Sequence, residues 1–120
     1  MSPAKVPIAT TDPSTTWVRG VLDLTLLGLL ASGEAYGYEL GRSLEASGIG
    51  TVPGGSLYPA LLRLEKAGLL RSQWRAGDGG PGRKYYALSA AGRRVLERDA
   101  RAWRSFAASL DAVLGPAGTR

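Results

Sequence analysis

Apolar positions recur at helical spacing in four stretches of the chain. In the first, Val18, Val21, Leu22, Leu26, Leu29 and Leu30 predict a helix over 17–32, with Thr15 or Thr16 able to cap it. Leu24 and Leu27 add a second apolar face, so this helix is expected to be covered on two sides, one of them by another subunit. Gly33-Glu34-Ala35 breaks the pattern, and Tyr36-Gly37-Tyr38-Glu39-Leu40 opens a second helix to about Ala46, with Leu40 and Leu44 facing inward. In the third stretch Leu57, Leu61 and Leu64 fall at i, i+4 and i+7. Gly54-Gly55 begins that helix, Pro59 is tolerable only near a first turn, and Gly68 ends it in a left-handed cap. Tyr58, Arg63 and Lys66 lie off its apolar stripe.

The helical period then disappears. Leu69 to Arg75 and Lys84 to Leu88 read as strands, joined by the turn-forming tract Ala76 to Arg83. Ser89 can cap a last helix from Ala90 to about Leu114, stopped by Gly115-Pro116 and about 37 Å long. Leu96, Asp99, Trp103, Phe106, Leu110 and Val113 are spaced 3, 4, 3, 4 and 3, a heptad seam too long for the compact part of the chain to cover. Asp99 is its odd member, either paired across an interface or marking where the helix leaves its own domain. The predicted fold is mainly α with a small β-hairpin: a winged helix-turn-helix plus a long C-terminal dimerisation helix. Its parts are a flexible tail over 1–16, a DNA-binding domain over 17–88, the dimerisation helix over 89–114 and a tail over 115–120.

Charge and composition narrow the chemistry. Fifteen Lys and Arg against ten Asp and Glu give a net charge of +5 and a pI near 10.0, which favours an anionic partner such as nucleic acid. Neither cysteine nor histidine is present, so thiolate sites are excluded and the commonest general base and metal ligand are missing. No catalytic residue, metal site or cofactor is expected. Two motifs mislead. Leu22 to Ala31 imitates a signal-peptide core, but Asp23 interrupts it and it is too short to span a bilayer, so a buried helix in a cytoplasmic protein is expected. Gly77-Asp78-Gly79-Gly80-Pro81-Gly82 spells G-x-G-x-x-G, yet a strand follows where a phosphate site needs a helix N-terminus.

Three segments together resemble the PadR family of bacterial transcriptional regulators. They are Tyr36-Gly37-Tyr38-Glu39-Leu40, then Gly55-Ser56-Leu57-Tyr58-Pro59-Ala60-Leu61-Leu62-Arg63-Leu64-Glu65-Lys66-Ala67-Gly68-Leu69-Leu70, then Gly82-Arg83-Lys84-Tyr85-Tyr86-Ala87-Leu88-Ser89-Ala90-Ala91-Gly92. The tip Gly80-Pro81-Gly82-Arg83-Lys84 departs from the usual Gly-Arg-Pro-Arg-Lys form, as does the Pro-rich tail. The resemblance implies a homodimeric repressor on an inverted-repeat, double-stranded DNA operator. In its small subfamily the first and last helices dimerise, which places Leu22, Leu26, Leu96, Trp103, Phe106, Leu110 and Val113 at the interface. It also implies a small aromatic effector there, for which Trp17 and Trp103 are the candidate stacking residues. Tryptophans that merely pack the interface are the plainer reading. A nucleotide-type effector stays open because Arg93, Arg94, Arg98, Arg101 and Arg104 share the last helix.

For DNA, Ser56 can donate to a phosphate or base, Tyr58 can reach a phosphate or a thymine methyl, and Arg63 carries charge to the backbone. Tyr38 and Lys66 are further phosphate candidates, and Arg83 and Lys84 on the wing would flank the minor groove. Solvated surface side chains are the plain alternative for all seven, and for Tyr58 packing against the wing. The competing function is a winged-helix protein-interaction module that does not bind specific DNA.

Overall fold

The computed structural model describes residues 14–77 and 79–119. Seven elements follow in order: α1 (Ser14–Leu30), β1 (Ala35–Tyr36), α2 (Gly37–Ala46), α3 (Gly54–Lys66), β2 (Leu70–Arg75), β3 (Arg83–Leu88) and α4 (Ala90–Thr119). The tail expected over 1–16 lies outside the described residues up to residue 13. Helix α1 starts at Ser14, so Thr15 and Thr16 fall within it and not ahead of it.

One leucine-rich core joins every layer. Leu22, Leu26, Leu27 and Leu30 of α1 meet Leu40 and Leu44 of α2 and Leu57, Ala60, Leu61 and Leu64 of α3, closed below by Leu70, Tyr86 and Leu88 of the sheet. Here the expectation for Leu22 and Leu26 needs correction. Both are buried inside their own chain, not offered to a second subunit. Helix α1 does carry two apolar faces, but the one holding Leu22 and Leu26 turns inward, and Val21, Leu24, Thr25 and Gly28 line the other.

The sheet has three strands in the order β1-β3-β2, all antiparallel. The hairpin pairs Leu70 with Leu88 through to Arg75 with Arg83, in line with the two strands expected on either side of the turn-forming tract. Strand β1 was not expected: Ala35 pairs with Tyr86 and Tyr36 with Tyr85, which ties the start of α2 to the wing.

Two junctions fix α3 and α4. At the end of α3 the Gly68 N–H donates to the Glu65 carbonyl at 2.9 Å and the Leu69 N–H to the Leu64 carbonyl at 3.0 Å, a Schellman cap in which Gly68 takes φ 80°. The Ser89 hydroxyl then donates to the Gly68 carbonyl at 2.6 Å and accepts from the Gly92 N–H at 2.9 Å, capping α4 while anchoring it to α3. Gly92 sits so close that an added Cβ would lie 2.0 Å from the Leu69 carbonyl oxygen.

Val95 and Leu96 pack α4 against the core, and Asp99 and Ala100 are half-buried. From Arg101 onward almost every residue up to Leu114 is exposed, so Asp99 stands where the helix leaves its domain. It pairs with its neighbour Arg98 at 2.8 Å. Gly115, at φ 52° and ψ −153°, breaks the helical geometry where a stop was expected, although the helix resumes as far as Thr119. The molecule measures 59 × 30 × 24 Å, drawn out along this helix.

Candidate nucleic-acid interface

Helix α3 buries Leu57, Ala60, Leu61 and Leu64 and exposes everything between them except the half-buried Glu65. Its outermost strip is Gly55, Pro59, Leu62 and Lys66, spaced 4, 3 and 4. Ser56 is exposed in the first turn and Lys66 at the C-terminal end, and among the described residues Lys66 makes no ion pair. Pro59 is the sixth residue of the helix, beyond the first turn, and it withholds the N–H that the Gly55 carbonyl would normally receive.

Tyr58 is half-exposed, and its ring lies against the backbone of Gly37 at the start of α2. A Cβ on Gly37 would come within 2.3 Å of that ring and 2.6 Å of its hydroxyl. The absence of a side chain at Gly37 leaves the space that the Tyr58 ring occupies between α3 and α2. The contact with α2 is thus a close one. The phenol still reaches solvent.

The basic residues divide by how firmly they are held. Arg63 is exposed but donates to Asp23 of α1 at 2.7 Å, so its guanidinium is aimed by a partner forty residues away. Lys84 is bound at 3.0 Å to Glu65 on the flank of α3, and Glu65 also accepts from the Ser72 hydroxyl. The Ser72 bond, with Lys84 beside it, holds the Glu65 carboxyl below its ordinary range, and Glu65 in turn raises the Lys84 ammonium. Lys84 thus ties the wing to α3. Arg83 is exposed, with its guanidinium 4.7 Å above the Tyr36 ring.

Sequence reasoning missed three contributors. Arg42 donates to the Tyr38 hydroxyl at 3.2 Å and lies 5.8 Å from its ring, so the exposed Tyr38 comes with a cation attached. The i, i+4 spacing of this pair was the available signal. Arg75 stands opposite Arg83 in the hairpin register, 4.5 Å from the Tyr85 ring, and is held by Glu34 at 2.8 Å. Leu62 is an exposed apolar residue on the outer strip of α3. Trp74 of β2 is largely exposed. The glycine-rich tract leads into β3, not into a helix.

On the opposite side, α1 and α4 enclose a groove of about 300 Å³ lined by Val21, Leu24, Thr25 and Gly28 of α1, by Ile49, and by Leu96, Ala100, Trp103 and Arg104 of α4. Trp103 stands in it, and the exposed Trp17 does not line it. Trp103 and Phe106 are 6.0 Å apart, and with Leu110 and Val113 they form an exposed apolar seam. Leu96 instead packs against the chain's own core. Among the described residues, no acidic cluster could hold a metal ion and no helix is long and apolar enough to cross a membrane.

Comparison with known proteins gives one consistent picture. Residues 26–98 match the Transcriptional regulator PadR-like family. The transcriptional regulator Rv3488 of Mycobacterium tuberculosis is 39% identical over 89 residues, covering 74% of this chain and 81% of that protein. A PadR family transcriptional regulator from Eggerthella lenta superposes with a TM-score of 0.77 at 35% identity, over 85% of this chain and 88% of its own. A PadR-like transcriptional regulator from Bacillus cereus gives 0.74 at 34% identity, over 83% and 97%.

Proposed function

The chain belongs to the PadR-like family of transcriptional regulators, not enzymes, and from that premise we propose that it is a homodimeric repressor of an inverted-repeat operator, modulated by a small effector. In this reading residues 17–88 bind DNA and 89–114 dimerise, in the cytoplasm and with no cofactor. The observation that carries it is the division of the surface: a helix-turn-helix edged with cations on one side, and an uncovered apolar seam on α4 at the other.

Each subunit sets α3 in a major groove, about 34–36 Å from its mate. Ser56 and Tyr58 contact backbone or bases near the helix start, and Tyr38 adds a phosphate contact with Arg42 beside it. Arg63, drawn from Asp23 as the duplex approaches, and Lys66 supply charge to phosphates. Arg83 serves the wing, whereas Lys84 contributes by holding the wing in place. Trp103, Phe106, Leu110 and Val113 bury against the second copy. An aromatic or nucleotide-type effector stacked on Trp103 in the α1–α4 groove, its charge met by Arg104, would alter the angle between subunits and release DNA. Trp17 joins that site only if the second subunit brings it there.

The test is a salt series of binding to DNA from the promoter of the protein's own gene, with scrambled DNA alongside. The expected result is preference for the promoter at physiological salt, with affinity lost in Arg63→Ala. Equal binding to both duplexes, or binding to neither, contradicts the proposal.

A further inference from the structure

The outer strip of α3 is unusual for a surface that meets DNA. Gly55, Pro59 and Leu62 carry no side-chain donor, and only Lys66, at the far end, is charged. Nothing lies within 4 Å of a Cβ built on Gly55, so this end of the strip is open as well as featureless. A guanine is ordinarily read by a bidentate arginine or lysine, and an adenine by asparagine or glutamine. None of these occupies the middle of the strip. The nearest arginine on the helix, Arg63, is committed to Asp23 at 2.7 Å.

Leu62 remains, 47% exposed although Leu57, Leu61 and Leu64 of the same helix are all at most 5% exposed. It sits one turn beyond Pro59 and one turn before Lys66, so a duplex that approaches closely enough to meet Lys66 brings a base edge against Leu62. The major groove offers one apolar group, the C5-methyl of thymine. Positive charge at Arg63 and Lys66 flanks Leu62, which suits a polyanion better than the apolar surface of a protein partner.

Resting on the DNA-binding role proposed above, we infer that Leu62 is a specificity-determining residue that reads a thymine methyl in each half-site. Close approach is permitted by Gly55 and Pro59, and the contact selects thymine at one position without a hydrogen bond.

The experiment uses the full chain and the tightest duplex selected from a randomised DNA library. Each thymine is replaced in turn by deoxyuridine, which removes only the methyl group. One position per half-site should weaken binding about fourfold, the worth of one buried methyl, and Leu62→Ala should bind thymine and deoxyuridine duplexes equally. Leu62→Gln supplies a second readout, shifting preference at that position toward adenine. Leu62 is exposed, so both variants should melt with the parent. Indifference of the parent to every deoxyuridine overturns the inference, and so does methyl sensitivity that survives in Leu62→Ala. If no sequence is enriched at all, it is the DNA-binding role itself that fails.

Discussion

The two ends of this molecule are completed by different means. Around α2, α3 and the wing, polar side chains find partners within the chain: Arg63 with Asp23, Lys84 with Glu65, Arg75 with Glu34, Tyr58 against Gly37. Beyond Ala100, α4 leaves Trp103, Phe106, Leu110 and Val113 exposed among the described residues. The first end is paired within the chain, and in the proposed dimer the second is half of a structure. A small domain cannot expose that much aligned apolar surface at no cost, so the missing half is read as a second copy.

The largest effect should come from the unfinished end. Replacing Phe106 and Leu110 together by Glu puts two charges into the seam. With each buried side chain worth about 1.5–3 kcal/mol, self-association should weaken at least a hundredfold. Sedimentation equilibrium would report monomers, and circular dichroism would report the same folded domain. A variant that stays dimeric removes α4 from the interface.

A smaller loss is expected where the finished end is tightest. In Gly37→Ala the new methyl meets the Tyr58 ring, and overpacking of this kind costs about 1–3 kcal/mol. Chemical denaturation should show it, and pairing the change with Tyr58→Ala should recover much of the loss. No recovery would mean that the Tyr58 ring does not set the α2–α3 angle.

Asp23→Asn tests the restraint that the ion pair places on Arg63. The pair is exposed, so stability should barely move. Affinity for any duplex should rise about two- to fivefold at low salt, because a negative charge is removed and a guanidinium freed, and the gain should shrink as salt increases. Unchanged or weaker DNA binding would show that Asp23 does not restrain Arg63.

The smallest effect concerns the wing clamp. The Glu65 carboxyl is held below the ordinary glutamate pKa, chiefly by Ser72 and then by Lys84. Its contribution is therefore complete above that value and lost as pH falls through the lower, folded one. Wing amides should exchange faster with solvent in that acid range, and Glu65→Gln should remove the pH dependence while Arg75–Glu34 on the other edge is unaffected.

Much of this was legible in the chain. The stripe Leu57, Leu61, Leu64 with Gly68 behind it located α3 and its cap, and the spacing of Trp103, Phe106, Leu110 and Val113 marked the exposed apolar residues of α4, while Leu96 of the same pattern packs on the core. Other features depend on contacts that no local pattern encodes. Strand β1 is two residues long and exists only because β3, some fifty residues later, offers an edge to Ala35 and Tyr36. Helix α1 had two apolar faces of similar character, and only the packed structure decides that Leu22 and Leu26 turn inward. The same holds for the cations. Arg63 and Lys84 looked like free charges until Asp23 and Glu65 were found beside them.

The central claim is that two recognition helices, joined through α4, act on DNA as one rigid unit. The most direct measurement compares the selected inverted-repeat duplex with one carrying five additional base pairs between its half-sites. That insertion turns one half-site about half a helical turn away from its mate. The account predicts that affinity falls to that of a duplex with a single half-site. Undiminished binding to the lengthened duplex would contradict it.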